Sequence, residues 1–288
     1  MLGEMLSPAV WFPKSLEEAW GMRQRLGSHA CFIAAGTLLQ IEWEKGRVDP
    51  GHLINLEGID EIKGVSREVM SGRSVVRIGA LTTLGSLLSS SLVLQHSPLV
   101  TEAVRGIAAP AVRNRATIGG NVASGIGDAI PALLAADALV STFDGSTRLT
   151  KPLWRWLQEK DNGQITSSEI VAQIELPGSG TADYFYRKIG RREAFIPSVV
   201  TIAGCCMRKE DGTITHIRLA AGGGETSPQR LQFSEKLLQG MSIQDAVLED
   251  VYRNVLEEFQ PVSDVFASAY YRKQIAANVI ASELAKFA

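Results

Sequence analysis

The chain has 288 residues, 45% of them hydrophobic and 21% charged, a balance that excludes disordered, collagen-like and coiled-coil chains and leaves room for two or three packed units. Its 29 basic and 31 acidic residues give a formal charge of −2 without long single-sign blocks, so nucleic acid is not an expected partner. The opening Met1-Leu2-Gly3-Glu4 lacks a basic n-region and the longest apolar stretch, Ala129 to Val140, is broken by Asp137, so neither secretion nor a membrane span is expected and a cytoplasmic setting is.

In chain order, apolar spacing predicts a helix over Ser15 to Leu26 and a strand over Cys31 to Ala34. The turn Ala35-Gly36-Thr37 follows, where small residues let backbone amides approach an anion such as a pyrophosphate, or simply reverse the chain. Strands are expected at His52 to Leu56 and Val75 to Ile78, and helices at Thr83 to Leu92 and Ser97 to Ile107. Next comes Ala116-Thr117-Ile118-Gly119-Gly120-Asn121, a hydroxyl, a Gly-Gly pair and an amide in six residues between apolar positions. It reads as a buried loop wrapped around a ligand. Asp128 stands before the helical run Ala129 to Ala138, placed either to cap it or to accept hydrogen bonds from ligand hydroxyls. Pro131 fits the first turn of that helix, whose anion-friendly end faces the same loop.

A strand at Ile170 to Leu176 runs into Pro177-Gly178-Ser179-Gly180, the sharpest break in the pattern and the expected domain boundary. Strands are then expected at Tyr184 to Lys188, Val199 to Met207 and His216 to Ala220, and helices at Ser227 to Gly240, Ser242 to Phe259 and Ser263 to Phe287. In Tyr186-Arg187-Lys188-Ile189-Gly190-Arg191-Arg192 a strand places Arg187 and Lys188 on opposite faces, so one can face a cofactor, or both can be solvated edge cations. Cys31, Cys205 and Cys206 lack CxxC spacing, and His29, His52, His96 and His216 are scattered, so no metal site is expected.

The segment Ala116 to Asn121 with the Asp and Pro that follow resembles the FAD-binding signature of the molybdenum hydroxylase flavoproteins, the medium subunits of xanthine, carbon monoxide and nicotinate dehydrogenases. Ala34-Ala35-Gly36-Thr37 resembles that family's first pyrophosphate loop, Gly79-Ala80-Leu81-Thr82 its strand-to-helix turn, Tyr186 to Glu193 its basic segment, and Leu219 to Gly223 with Pro228 its C-terminal motif. The resemblance implies an α+β chain with the bilobed FAD-binding fold of vanillyl-alcohol oxidase-like enzymes, in subdomains 1–60 and 61–177, and a C-terminal domain at 182–288 with a small antiparallel sheet and helices. By the same analogy Ala34, Ala35, Gly36, Thr37, Leu38 and Leu39 cradle the pyrophosphate. Ala116, Thr117, Gly119, Gly120, Asn121 and Asp128 contact pyrophosphate, ribityl or ribose groups, Ile170 and Val171 pack near the flavin, and Arg187 or Lys188 supplies a cation beside the isoalloxazine.

Against the family pattern, Ala35 stands for a Gly and Leu38 for an Asp, and the stretch from Asn121 to Asp128 is about two residues short. Ala35 would carry on the order of 1 kcal/mol of strain if its φ were positive. The implied activity is that of an oxidoreductase subunit, with FAD taking electrons from an iron–sulfur subunit, a further subunit holding the molybdenum cofactor, and NAD or another acceptor receiving them. No nucleophile and base are paired, as suits chemistry carried by a cofactor. The alternatives are a stand-alone flavin reductase and an assembly subunit that has lost FAD.

Overall fold

The computed structural model describes residues 8–46, 50–70, 72–178, 182–190 and 198–288. Ser179 and Gly180 of the expected boundary, and Arg191, Arg192 and Glu193 of the basic segment, lie outside them.

The first unit is a three-stranded parallel sheet, ordered β1-β3-β2. It comprises β1 (Ala9–Trp11), α1 (Leu16–Leu26), β2 (Ala30–Ile33), α2 (Leu39–Glu44) and β3 (His52–Asn55). Ser15 starts α1 by accepting the Glu18 amide at 3.1 Å, satisfying one of the free N–H groups of a helix start. α1 buries Leu16 and Ala19 in a cluster with Ala30, Ile54, Leu81, Phe143 and Ile170, which ties this sheet to the next.

The second unit is a five-stranded antiparallel sheet, ordered β4-β5-β8-β6-β7. β4 (Val65–Met70) and β5 (Arg73–Gly79) form a hairpin, followed by α3 (Leu84–Ser89), α4 (Ser91–His96), α5 (Pro98–Arg105), α6 (Pro110–Arg113), α7 (Ile118–Ala123) and α8 (Ile130–Ala135). β6 (Leu139–Phe143), β7 (Arg148–Pro152), α9 (Leu153–Asp161) and the central β8 (Ile170–Pro177) complete it. The single helix expected at Thr83 to Leu92 breaks at Ser90, which is extended and caps α4. Serine side chains compete with the helical backbone in this way.

The third unit is the antiparallel meander β12-β11-β10-β9, built from β9 (Asp183–Ile189), β10 (Val200–Arg208), β11 (Ile214–Gly223) and β12 (Thr226–Arg230), with α10 (Gln232–Leu238), α11 (Asp245–Glu258) and α12 (Ala269–Ala285). β10 is covered on both faces, which explains its nearly continuous apolar run: Ile202 and Cys206 join the core beneath α11 and α12, whereas Ala203 and Cys205 face Ala132 and Ala135 of α8. The helix expected at Ser227 to Gly240 begins only at Gln232, as α10, because residues up to Arg230 form the edge strand β12, where Pro228 needs no ladder partner and packs against Gly222. No helix among the described residues is long and apolar enough to cross a membrane.

Candidate functional site

The first turn sits at the end of β2. Gly36 has φ +71°, and its carbonyl accepts the Gln40 amide at 2.9 Å to start α2. A left-handed residue is needed here, and glycine takes that conformation without a Cβ penalty. Ala35 is not in the left-handed region, so the strain expected from its replacement of glycine does not arise. Among the described residues no acceptor is bonded to the amides of Ala35, Gly36 or Thr37, although the turn is half-buried. Half-buried donors without partners are costly and call for an acceptor from water or a ligand. Leu38, where the resemblance has an acid, is 39% exposed and carries no charge, so its side chain offers no hydrogen-bonding group there.

The second segment is not the ligand-wrapping loop expected from its composition but a short helix, α7. Thr117 caps it by accepting the Gly120 amide at 3.1 Å. The two glycines have different reasons to be there. A Cβ on Gly119 would lie 2.5 Å from the Ala80 Cβ, so Gly119 is required by packing against the 79–82 turn, while a Cβ on exposed Gly120 would meet only the Thr117 hydroxyl at 3.1 Å. Gly119 N–H donates to the Ala80 carbonyl at 2.9 Å and Ile118 N–H to the Thr82 carbonyl at 3.0 Å, while the Ala116 carbonyl accepts from Leu84 at 2.8 Å. Leu81 of the same turn belongs to the cluster against which Ala34 packs. The 79–82 turn is thus bonded directly to the second glycine segment and shares a core cluster with Ala34 beside the first.

Asp128 does not cap the next helix. The N-cap of α8 is Ala129, with no side-chain bond, because Asn121 Oδ1 takes the Ala129 amide at 3.3 Å. The Asp128 carboxylate instead crosses to the third unit, where Lys188 Nζ lies 2.8 Å from Oδ2 and Ser198 Oγ donates to Oδ1 at 2.6 Å. Lys188 also donates to the Gly106 carbonyl at 3.1 Å.

Strand alternation separates the two predicted cations, as expected for β9. Arg187 turns away from Asp128 and grips Glu283 of α12 with Nε at 2.9 Å and Nη2 at 2.8 Å, with Glu102 at 3.4 Å from Nη1. Such a two-point carboxylate grip fixes α12 to the sheet. Burial opposes ionisation of Glu283, but hydrogen bonds from Lys286 and Arg187 outweigh it and hold the carboxyl below its ordinary value. Lys188 is thus the cation on the side of the glycine segments. Ile170 and Val171 are both buried, in the first and second cores respectively.

Sequence reasoning missed the residues that reach Asp128 from the third unit. Tyr186 donates to its main-chain carbonyl at 3.0 Å, and Ser198 holds its side chain. The period-two pattern of β9 could have indicated Tyr186, since it shares a face with Lys188; Ser198 carried no such signal. Nor did the sequence disclose Lys160, whose stem covers the stretch between Asn121 and Asp128, 2.8 Å from where a Gly125 Cβ would stand. A cleft of about 710 Å³ lies at the other end of β9, lined by Ser97, Tyr184, Cys205 and Arg208, and includes none of the predicted site residues.

Residues 5–179 match the family described as FAD binding domain in molybdopterin dehydrogenase, and residues 184–286 match the CO dehydrogenase flavoprotein C-terminal domain. The chain belongs to the molybdopterin dehydrogenase flavoprotein family. This flavoprotein is 31% identical over 276 residues to the carbon monoxide dehydrogenase medium chain of Hydrogenophaga pseudoflava, with 93% of this chain and 92% of that one covered. It is 27% identical over 252 residues to the xanthine dehydrogenase FAD-binding subunit of Escherichia coli O157:H7, covering 84% and 83%. A solved chain of carbon monoxide dehydrogenase from Hydrogenophaga pseudoflava lacking the Mo-pyranopterin moiety superposes with a TM-score of 0.87 at 27% identity, covering 97% of this flavoprotein and 96% of that chain. The flavoprotein is accordingly a subunit of an oxidoreductase, and its cofactor is FAD. The amides at 35–37, without an acceptor among the described residues, and the open face of Gly120 fit a group that brings anionic oxygens to backbone donors.

Proposed function

We propose that this chain binds FAD between its two glycine segments and relays electrons from the iron–sulfur clusters of one partner subunit to NAD or another soluble acceptor, in a complex whose further subunit holds the molybdenum cofactor. The observation that carries the reading is the half-buried turn at 35–37, whose amides have no acceptor among the described residues, taken together with the exposed Gly120 of α7 beside its Thr117 cap. Bound FAD supplies the ability to accept electrons singly and deliver them in pairs. The chain's own part is to cradle the pyrophosphate with the 35–37 amides and α7, to offer Asp128 to ligand hydroxyls, and to set Lys188 on the flavin side of the third sheet. The division into 1–60, 61–177 and 182–288 belongs to the same reading, as does a cytoplasmic setting.

Three cysteines, two of them buried, leave iron–sulfur ligation to a partner. The substrate is likewise a partner's: a purine by analogy with the xanthine dehydrogenase relative, or carbon monoxide, favoured by the 31% identity to the medium chain of that dehydrogenase. Denaturing the purified chain and separating the released cofactor should yield FAD; FMN alone, or no flavin from folded protein, would refute the site. Co-purified neighbours should contain iron and molybdenum and reduce an acceptor with xanthine or carbon monoxide. The chain alone should pass electrons from NADH to a dye yet hydroxylate nothing, and hydroxylation by metal-free chain would overturn the assignment.

A further inference from the structure

We propose that Tyr186, Lys188 and Ser198 position Asp128 for the cofactor, so that flavin binding and docking of the C-terminal sheet are one coupled event. The inference rests on the reading of Asp128 as an FAD contact.

Asp128 belongs to the FAD-binding half of the chain, but among the described residues both side-chain bonds it makes cross to the C-terminal half. Its two oxygens are held separately, Oδ2 by Lys188 at 2.8 Å and Oδ1 by Ser198 at 2.6 Å, while Tyr186 fixes the main chain through the carbonyl at 3.0 Å. The ion pair is largely withdrawn from water, with side-chain exposures of 17% for Lys188 and 16% for Asp128. A carboxylate has about four lone-pair directions. Two are used here, which leaves acceptor capacity for a ribityl or ribose hydroxyl in an orientation that the two donors dictate.

The arrangement has no role in starting α8, whose cap is Ala129, so local helix chemistry does not explain it. Among the described residues Lys188 meets no other charge, its second contact being the neutral Gly106 carbonyl. Burial, reinforced by the charges of Asp128 and Glu102, pushes the Tyr186 phenol well above its ordinary range, so it remains a donor. Removing either partner of such a pair strands the other charge away from water. Coupling is reciprocal: whatever affinity FAD gains from an Asp128 held by the C-terminal sheet, that sheet must gain in docking when FAD binds.

The test compares full-length Lys188→Met, Lys188→Arg, Ser198→Ala and Gly120→Val, using FAD titration of the apoprotein by flavin fluorescence and hydrogen exchange across 183–189 with and without FAD. Lys188→Met should weaken FAD binding about tenfold, an ordinary coupling magnitude, and Lys188→Arg should recover most of it. FAD should slow exchange in β9 of the unmodified chain and fail to do so in Lys188→Met. If Lys188→Met does not fold, Ser198→Ala, which removes one hydrogen bond, carries the comparison with a loss of about threefold or more. Unchanged FAD affinity in Lys188→Met and Ser198→Ala, with flavin lost from Gly120→Val, would overturn the coupling alone. Full flavin in Gly120→Val would overturn the site reading beneath it.

Discussion

Replacing Gly120 by valine separates cofactor contact from folding. The new Cβ would stand 3.1 Å from the Thr117 hydroxyl with no other heavy atom within 4 Å, and the residue is exposed in a helix with φ outside the left-handed region. Helix propensity favours valine over glycine by a few tenths of a kcal/mol. Disturbing the Thr117 cap costs about 1 kcal/mol, so the net change in stability is under about 1 kcal/mol. The isopropyl group would, however, fill the open face of Gly120 at which the proposed site receives the pyrophosphate. Losing one or two charge-assisted hydrogen bonds at about 1.5–3 kcal/mol each amounts to roughly 3 kcal/mol, or about a 100-fold weaker Kd at 1.4 kcal/mol per decade. Gly119→Val is the contrast: its Cβ would lie 2.5 Å from Ala80 Cβ and 2.7 Å from the Ala80 carbonyl oxygen, so that variant should lose the fold. Visible absorbance, FAD titration and thermal melting of both variants decide the matter. A Gly120→Val protein with a full complement of FAD would refute the placement of the cofactor against α7.

Gly36→Ala should cost about 1–2 kcal/mol, because φ is +71° and the Cβ would press 2.9 Å from Ile33 Cδ1; denaturant melts and FAD titration should fall together. Ala35→Gly, toward the family pattern, should lower stability by about 0.4–1 kcal/mol, since no left-handed strain is relieved and the unfolded chain gains freedom; a more stable variant would contradict the backbone described. Acidification should destabilise the fold through Asp137, Asp264 and Glu283. Burial opposes their ionisation, but hydrogen bonds from His216 and Arg218, from the Phe266 and Ala267 amides, and from Lys286 and Arg187 outweigh it, leaving all three below their ordinary values. The folded state then binds fewer protons than the unfolded one, so the stability is complete above about pH 5 and is lost as pH falls through the depressed values. Melting across pH 3–7 should show that slope, reduced in Glu283→Gln.

Much of the C-terminal unit was legible because its strands are long and its core strand β10 is apolar on both faces. The strands β1, β4 and β7 of the first two sheets escaped because they are short or solvent-facing, as in the exposed Arg148, Leu149 and Thr150 of β7, and apolar spacing has little to register there; the buried β6 escaped because its apolar residues continue directly from the apolar run of α8. At the site, composition located both glycine segments, yet it could not distinguish Gly119, required by contact with Ala80, from Gly120, which is open to a ligand. That distinction depends on a partner about 40 residues away in the chain. The same holds for Asp128, whose neighbours left it either an N-cap or a ligand acceptor and whose carboxylate is held by Lys188 and Ser198 from another sheet.

The aspartates at the two ends of α8 give that helix a fixed span. Asp128 is clasped by Lys188 and Ser198 ahead of it, and Asp137, at φ +51°, is clasped beyond it by Arg218 at 2.7 Å and Arg230 at 3.1 Å. Between them Ala132 and Ala135 lie flat against Ala203, a seam of small side chains that tolerates sliding better than bulk. One inserted residue in α8 would turn everything beyond it by about 100° and advance it by about 1.5 Å, carrying Asp137 out of reach of both arginines. The helix therefore acts as a ruler between two anchor points. Changes of length in this family should spare residues 128–137 and fall outside that span, as in the stretch before Asp128.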